Sequence, residues 1–194
     1  MINLVNSPPP ESVYINGTEY LINTDYKVWI EVSALLEDLD LTDESENIAN
    51  IFEHINKLVF NVPSIPEDIE DVLNAIVKFQ GGYPEEQSET EGTADNQTGN
   101  EKVVSFKHDI NYIIIAIRNQ SGIDLSYRRT EPFHWWEFLL EFNSLEDRHF
   151  ISKVISIRSY KGEDKERLKL KEQFKLPSKL TAAEKKVNDM FYGT

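Results

Sequence analysis

The chain has 194 residues, 40% hydrophobic and 28% charged, enough apolar material for a buried core beneath a polar surface. It contains no cysteine, which excludes disulfide frameworks, thiolate metal sites and cysteine nucleophiles. Met1 to Pro8 show neither the basic start nor the apolar run of a signal peptide. No apolar stretch approaches the roughly 20 residues of a membrane-spanning helix, so the expectation is a soluble protein with no membrane partner.

The net charge of −14 is unevenly spread. Residues 1–101 hold 21 acidic and 3 basic side chains, whereas residues 102–194 hold 13 acidic and 17 basic. Opposed potentials of this kind either draw two modules together, within a chain or between copies, or mark one half as a partner site. Nucleic acid is a poor partner for the first half, because phosphate binding depends on clustered Lys and Arg.

In chain order, Val13–Ile22 places two β-prone runs around Asn16-Gly17, a dipeptide suited to the positive φ angles of a type I′ hairpin turn. Thr24 or Asp25 can cap a helix carrying Val28, Trp29, Val32, Leu35, Leu36 and Leu39 at helical spacing. Ile48, Ile51, Phe52, Ile55 and Val59 define a second helix. Ser64-Ile65-Pro66-Glu67 reads as a capping box for a third, continued by Ile69, Val72, Leu73 and Ile76. Gly81-Gly82 ends the pattern. From Tyr83 to Glu101 the chain offers almost nothing to bury and is expected to be a disordered linker. The division expected is therefore an acidic module over 1–82, a linker over 83–103 and a helical module over 104–194.

That second module opens with Phe106, Ile110, Ile113, Ile114 and Ile117 on a helix stopped by Ser121-Gly122. Thr130 and Pro132 are expected to open the most apolar segment, Phe133–Phe142. A helix with Phe150, Ile151, Val154, Ile155 and Ile157 follows, then a charged one around Leu168, Leu170 and Phe174. Thr181-Ala182-Ala183-Glu184 reads as a capping box for a last short helix through Val187, Met190 and Phe191. The fold class expected is mainly α, with two small helical modules and one N-terminal β-hairpin.

Residues for catalysis are not evident. The dispersed glycines form no phosphate-binding loop, and no serine sits in a nucleophile elbow. His54, His108, His134 and His149 lack zinc-ligand spacing. Glu131-Pro132-Phe133-His134 and Glu146-Asp147-Arg148-His149 are both Glu-x-x-His, the motif that holds di-metal centres in carboxylate bundles. The plainer reading is capping glutamates beside partly exposed histidines, so no catalytic residue, metal or cofactor is expected.

Trp135 and Trp136 point about 100° apart on a helix, so both rings are core only if that helix is packed on two sides. The alternative is that Trp135, Trp136 and the nearby Phe138 anchor a protein interface, where Trp is enriched. Arg128 and Arg129, and the lysines from Lys161 to Lys175, read as a solvated face or as a basic site for an acidic partner helix.

The opening, with its prolines, the Val13–Ile22 hairpin and Asn23-Thr24-Asp25-Tyr26, resembles a phage protein family of Gram-positive siphophages. Gly122-Ile123-Asp124-Leu125 followed by His134-Trp135-Trp136-Glu137-Phe138 is similar to that family's most recognisable block, and Ile155-Ser156-Ile157-Arg158 stands where its trailing pattern is expected. Phe142-Asn143-Ser144-Leu145 departs from the more aliphatic end expected of that helix. The resemblance implies a non-catalytic tail-assembly chaperone, encoded ahead of the tape-measure gene. Such a protein would shield the tape-measure protein, recruit tail-tube subunits in the host cytoplasm and leave before the tail matures. The competing expectations are an acidic decoy for a host nucleic-acid-binding protein, testable at Asp68, Glu70 and Asp71, and a di-metal helical enzyme.

Overall fold

A computed structural model describes residues 8–38, 46–60, 69–82, 102–127 and 129–177. Within them lie one two-stranded antiparallel sheet and seven helices. The capping box at Ser64–Glu67, the stretch 83–101, Leu39, Asp68, Arg128 and the last helix expected at Thr181–Phe191 lie outside the described residues.

The hairpin forms as its turn chemistry requires. Strands β1 (Ser12–Ile15) and β2 (Thr18–Leu21) pair with Ile15 opposite Thr18, and the two turn residues take φ of 51° at Asn16 and 75° at Gly17. Both angles are positive, as a type I′ turn demands. Strand alternation sends Val13 and Ile15 inward and Tyr14 outward, and the inward pair packs against α3 (Ile69–Gln80). A lone hairpin is marginal in water, and this packing supplies the missing burial.

Helix α1 (Tyr26–Asp38) is capped by Asp25, whose Oδ1 accepts the Lys27 N–H at 2.9 Å. It buries Tyr26, Trp29 and Val32 on one face, against α2 (Glu46–Val59) and α4 (Phe106–Ser121). Helix α4 begins at Ser105, whose hydroxyl accepts the His108 N–H, and ends at Gly122 with φ of 75°. That left-handed residue returns its N–H to the Arg118 carbonyl at 3.0 Å, closing the last turn. Ile69 opens α3 as its spacing predicts and is 49% exposed there. The buried stripe runs Val72, Ala75, Ile76 and Phe79.

Helix α5 (Trp135–Asn143) starts later than Thr130 and Pro132 suggested, because His134 is the cap. Its Nδ1 accepts the Trp136 N–H at 3.0 Å, while Phe133 remains outside the helix. Ser144 closes α5 in the right-handed region, within the segment that departs from an aliphatic pattern; Phe142 and Leu145 still pack on the core. Helix α6 (Phe150–Arg158) and helix α7 (Lys165–Gln173) complete the described chain. Asp164 caps α7 by accepting the Glu166 and Arg167 N–H groups at 2.9 and 3.0 Å.

The acidic and basic halves of the chain share one hydrophobic core. Val13, Trp29, Ile55, Val72 and Phe79 from the first belong to the same buried cluster as Ile113, Ile117, Trp135, Phe138 and Ile151 from the second. Charge contributes at the edge of this junction, where Lys102 meets Glu37 at 2.8 Å and Lys27 Nζ donates to the Arg129 carbonyl at 2.8 Å. Lys102 is half-exposed, and contacts with one partner in solvent contribute on the order of 0–1 kcal/mol, so apolar burial dominates the junction.

Candidate protein interface

The His-Trp-Trp block is where the two halves of the chain close on each other. Trp135 is 0% exposed and Trp136 5%, so both rings are covered by this chain, and Phe138 beside them is equally buried. Helix α5 is thus packed on two sides, the condition two adjacent core tryptophans require. Trp135 stacks on Trp29 and Phe138 with ring centroids at 6.4 and 5.2 Å, and meets the edge of Phe106 at 5.4 Å. Trp136 lies 5.5 Å from Phe79. Aromatic pairs of this geometry each contribute about 0.5–1.5 kcal/mol beyond their buried area.

Each indole also satisfies its polar tip. Trp135 Nε1 donates to the Gln80 carbonyl and Trp136 Nε1 to the Phe79 carbonyl, both at 2.9 Å. These are carbonyls at the last turn of α3, past the reach of its own ladder, and that of Phe79 also accepts the Gly82 N–H at 3.0 Å. Backbone bridges add to the closure, with the Trp135 N–H on the Thr24 carbonyl at 2.8 Å and the Tyr26 N–H on the Phe133 carbonyl at 2.9 Å. The Tyr26 hydroxyl donates to the Leu125 carbonyl, and burial raises its pKa above the ordinary phenol value. In this conformation the block offers a partner no free ring.

His134 holds a defined protonation state. Its Nε2 lies 2.9 Å from the Pro10 carbonyl, which can only accept, and its Nδ1 lies 3.0 Å from the Trp136 N–H, which can only donate. The ring is therefore the neutral tautomer with its proton on Nε2. Burial lowers its pKa below the ordinary histidine value, against the raising influence of the Pro10 bond, Glu137 and Glu11.

Neither Glu-x-x-His motif gathers ligands. His149 is buried with its Nε2 3.0 Å from Gln120 Oε1, and Glu146 pairs with Arg148 at 3.0 Å. Among the described residues, no group of three or more His, Asp or Glu side chains is placed to hold a metal ion. No helix among them is long and apolar enough to cross a membrane.

A second aromatic group faces outward. Tyr112 on α4, Phe150 on α6 and Phe174 at the end of α7 form a ladder with centroid distances of 4.9 and 5.9 Å. Tyr112 and Phe150 are each 48% exposed. Ile115, one helical turn from Tyr112, continues the apolar surface. Beneath this ladder lies a buried ion pair. Arg158 Nη1 meets Asp109 Oδ2 at 2.6 Å and Nη2 meets Oδ1 at 3.1 Å, a two-pronged pairing that ties α6 to α4. The remaining donors reach the carbonyls of Phe174 at 2.6 Å and Val103 at 3.1 Å, while Asp109 also accepts the Ser105 N–H at 3.0 Å.

This arrangement of a closed joint and an outward ladder is carried by a chain whose residues 5–180 match the family described as Bacteriophage Gp15 protein. The chain belongs to that family. No curated protein and no solved structure matches it. Within this Gp15 family member, the match spans both halves of the charge-divided chain and the joint between them.

Of the residues singled out from the sequence, Trp135, Trp136 and Phe138 are brought together in the joint. Arg129 lies apart from them, its guanidinium 5.1 Å from the Phe133 ring. Phe79, Asp109, Tyr112 and Ile115 are not among the residues singled out. Phe79 stands one i, i+3 step beyond Ile76, a signal that could have included it. The run Ile113-Ile114-Ile115 is apolar on three sides of α4, more than a single buried face requires.

Proposed function

We propose that this Gp15 family member is a non-catalytic tail-assembly chaperone, which binds the tape-measure protein, tail-tube subunits or both in the host cytoplasm and is absent from the mature virion. The observation that carries this reading is the outward aromatic ladder of Tyr112, Phe150 and Phe174 in a chain of a bacteriophage family. A protein that covers apolar helical faces until another structure encloses them needs an apolar surface that its own fold leaves uncovered. It must also stay dispersed while that surface is open, and a net charge of −14 serves this by mutual repulsion.

Co-expression of the full chain with the tape-measure protein of the same phage tests the reading. Soluble co-purification is the expected result. A tape-measure protein that stays insoluble beside a monodisperse chaperone candidate would turn the assignment toward the tail-tube subunits, for which the same co-purification is the test. Failure with both would end it.

A further inference from the structure

We propose that the outward face of α4, α6 and α7 docks an acidic amphipathic helix of another polypeptide, an inference that rests on the chaperone reading and narrows it to one surface. Tyr112, Ile115, Phe150 and Leu170 on these helices are 48, 47, 48 and 40% exposed. Phe174 joins the ladder to α7, where Leu170 lies one turn before it. An extended stripe of this composition matches the i, i+3, i+4, i+7 side chains of a partner helix.

Charge selects the partner. Helix α6 contains no carboxylate, and the single one on α4, Asp109, is buried against Arg158. The exposed ionised side chains of these two helices are Lys107, Arg118 and Lys153, all basic. Helix α7 adds exposed Lys165, Arg167 and Lys169. The first 101 residues hold only 3 basic side chains against 21 acidic, so an acidic helix would be drawn to this face and repelled elsewhere. Nucleic acid fits less well, because α7 interleaves exposed Glu166 and Glu172 with its bases and the whole chain carries −14.

Helix α7 itself points the same way. None of its nine residues is fully buried, and Leu168 and Leu170 stay 43 and 40% exposed. A helix polar nearly all round gains little from its own packing. Asp164 caps its start, and the bonds from Arg158 to the Phe174 carbonyl and from Lys171 to the Tyr160 carbonyl hold it in place. A surface held this firmly while its leucines stay uncovered is set for an incoming apolar stripe.

The test uses the full chain and a labelled peptide of about 20 residues, with leucine at i, i+3, i+4 and i+7 and glutamate elsewhere. A lysine-for-glutamate version and a single-stranded oligonucleotide serve as competitors. The glutamate peptide is expected to bind in fluorescence anisotropy and to weaken with added salt. Phe150→Ser and Lys153→Glu should each weaken it about tenfold, with circular dichroism retained in both and the unfolding midpoint little changed in Lys153→Glu, whose side chain is exposed. Equal binding by the lysine peptide, preference for the oligonucleotide, indifference to Lys153→Glu or no binding at all would each overturn the proposal. If Lys153→Glu captures the tape-measure protein as well as the parent chain, this face is wrong and the chaperone reading stands. If the peptide binds and no tail protein does, the face is right and the chaperone reading fails.

Discussion

The indole N–H of Trp136 donates to the carbonyl of Phe79 at 2.9 Å, across 57 positions of sequence, while the two rings lie 5.5 Å apart. Apolar contact and a directional bond are thus made by the same pair, at the joint between the acidic and basic halves. Trp136→Ala should cost about 3–5 kcal/mol of stability through the cavity and the lost donor. Trp136→Phe should cost less, because the Gly82 N–H also reaches the Phe79 carbonyl, at 3.0 Å. Urea unfolding checks both. If Trp136→Ala unfolds like the parent but no longer captures a tail protein, the residue belongs to an interface and not to the joint.

The Arg158–Asp109 pair is nearly inaccessible to water, with side chains 10% and 3% exposed. Removing one partner strands a buried charge, so Asp109→Asn or Arg158→Met should cost about 3–5 kcal/mol. Asp109→Asn combined with Arg158→Met should lose less than the two single changes added together. It should not return to parental stability, because the bonds from Arg158 to Val103 and Phe174 are still lost. A double-mutant cycle by denaturant titration measures the coupling.

His134 makes the joint sensitive to acid. Its pKa is lowered on folding, so its contribution is full above the ordinary imidazole value of about 6.5 and declines as pH falls below it. A proton on Nδ1 would face the Trp136 N–H and break the α5 cap. The parent chain should therefore lose stability between about pH 7 and pH 5. His134→Asn, which can still cap the helix, should show a shallower loss over that window. Melting temperature against pH for the two chains decides it; parallel curves would sink the assignment.

Gly122 has nothing within 4 Å of where a Cβ would stand, yet its φ is 75°. Gly122→Ala should therefore destabilise through backbone strain alone, by about 1 kcal/mol. Gly122→Asn should recover part of that, since Asn tolerates the left-handed region better. Thermal unfolding of the two variants gives the comparison.

Local chemistry made much of this fold legible. Asn16-Gly17 carries its turn type in two residues, and the spacing of Val28, Trp29 and Val32 marks α1 before any partner is known. The adjacent tryptophans pose a geometric condition that packing on two sides of α5 meets. The start of α5 was misplaced because Thr130 and Pro132 are ordinary opening signals, whereas His134 caps through a ring nitrogen. The Arg158–Asp109 pair spans 49 positions with no local pattern to reveal it. The ladder was hidden for the same reason. Tyr112, Phe150 and Phe174 sit on three helices, and only their packing makes neighbours of them.

The shared core also sets a timetable for synthesis. Trp29 and Phe79 leave the ribosome well before Trp135 and Trp136, whose rings cover them. At roughly 5–20 residues per second, the wait between Trp29 and Trp135 is on the order of ten seconds. For that interval the nascent acidic half holds its aromatic residues without the α5 rings against which they finally pack, and its excess of 21 acidic over 3 basic side chains sets one nascent chain to repel the next.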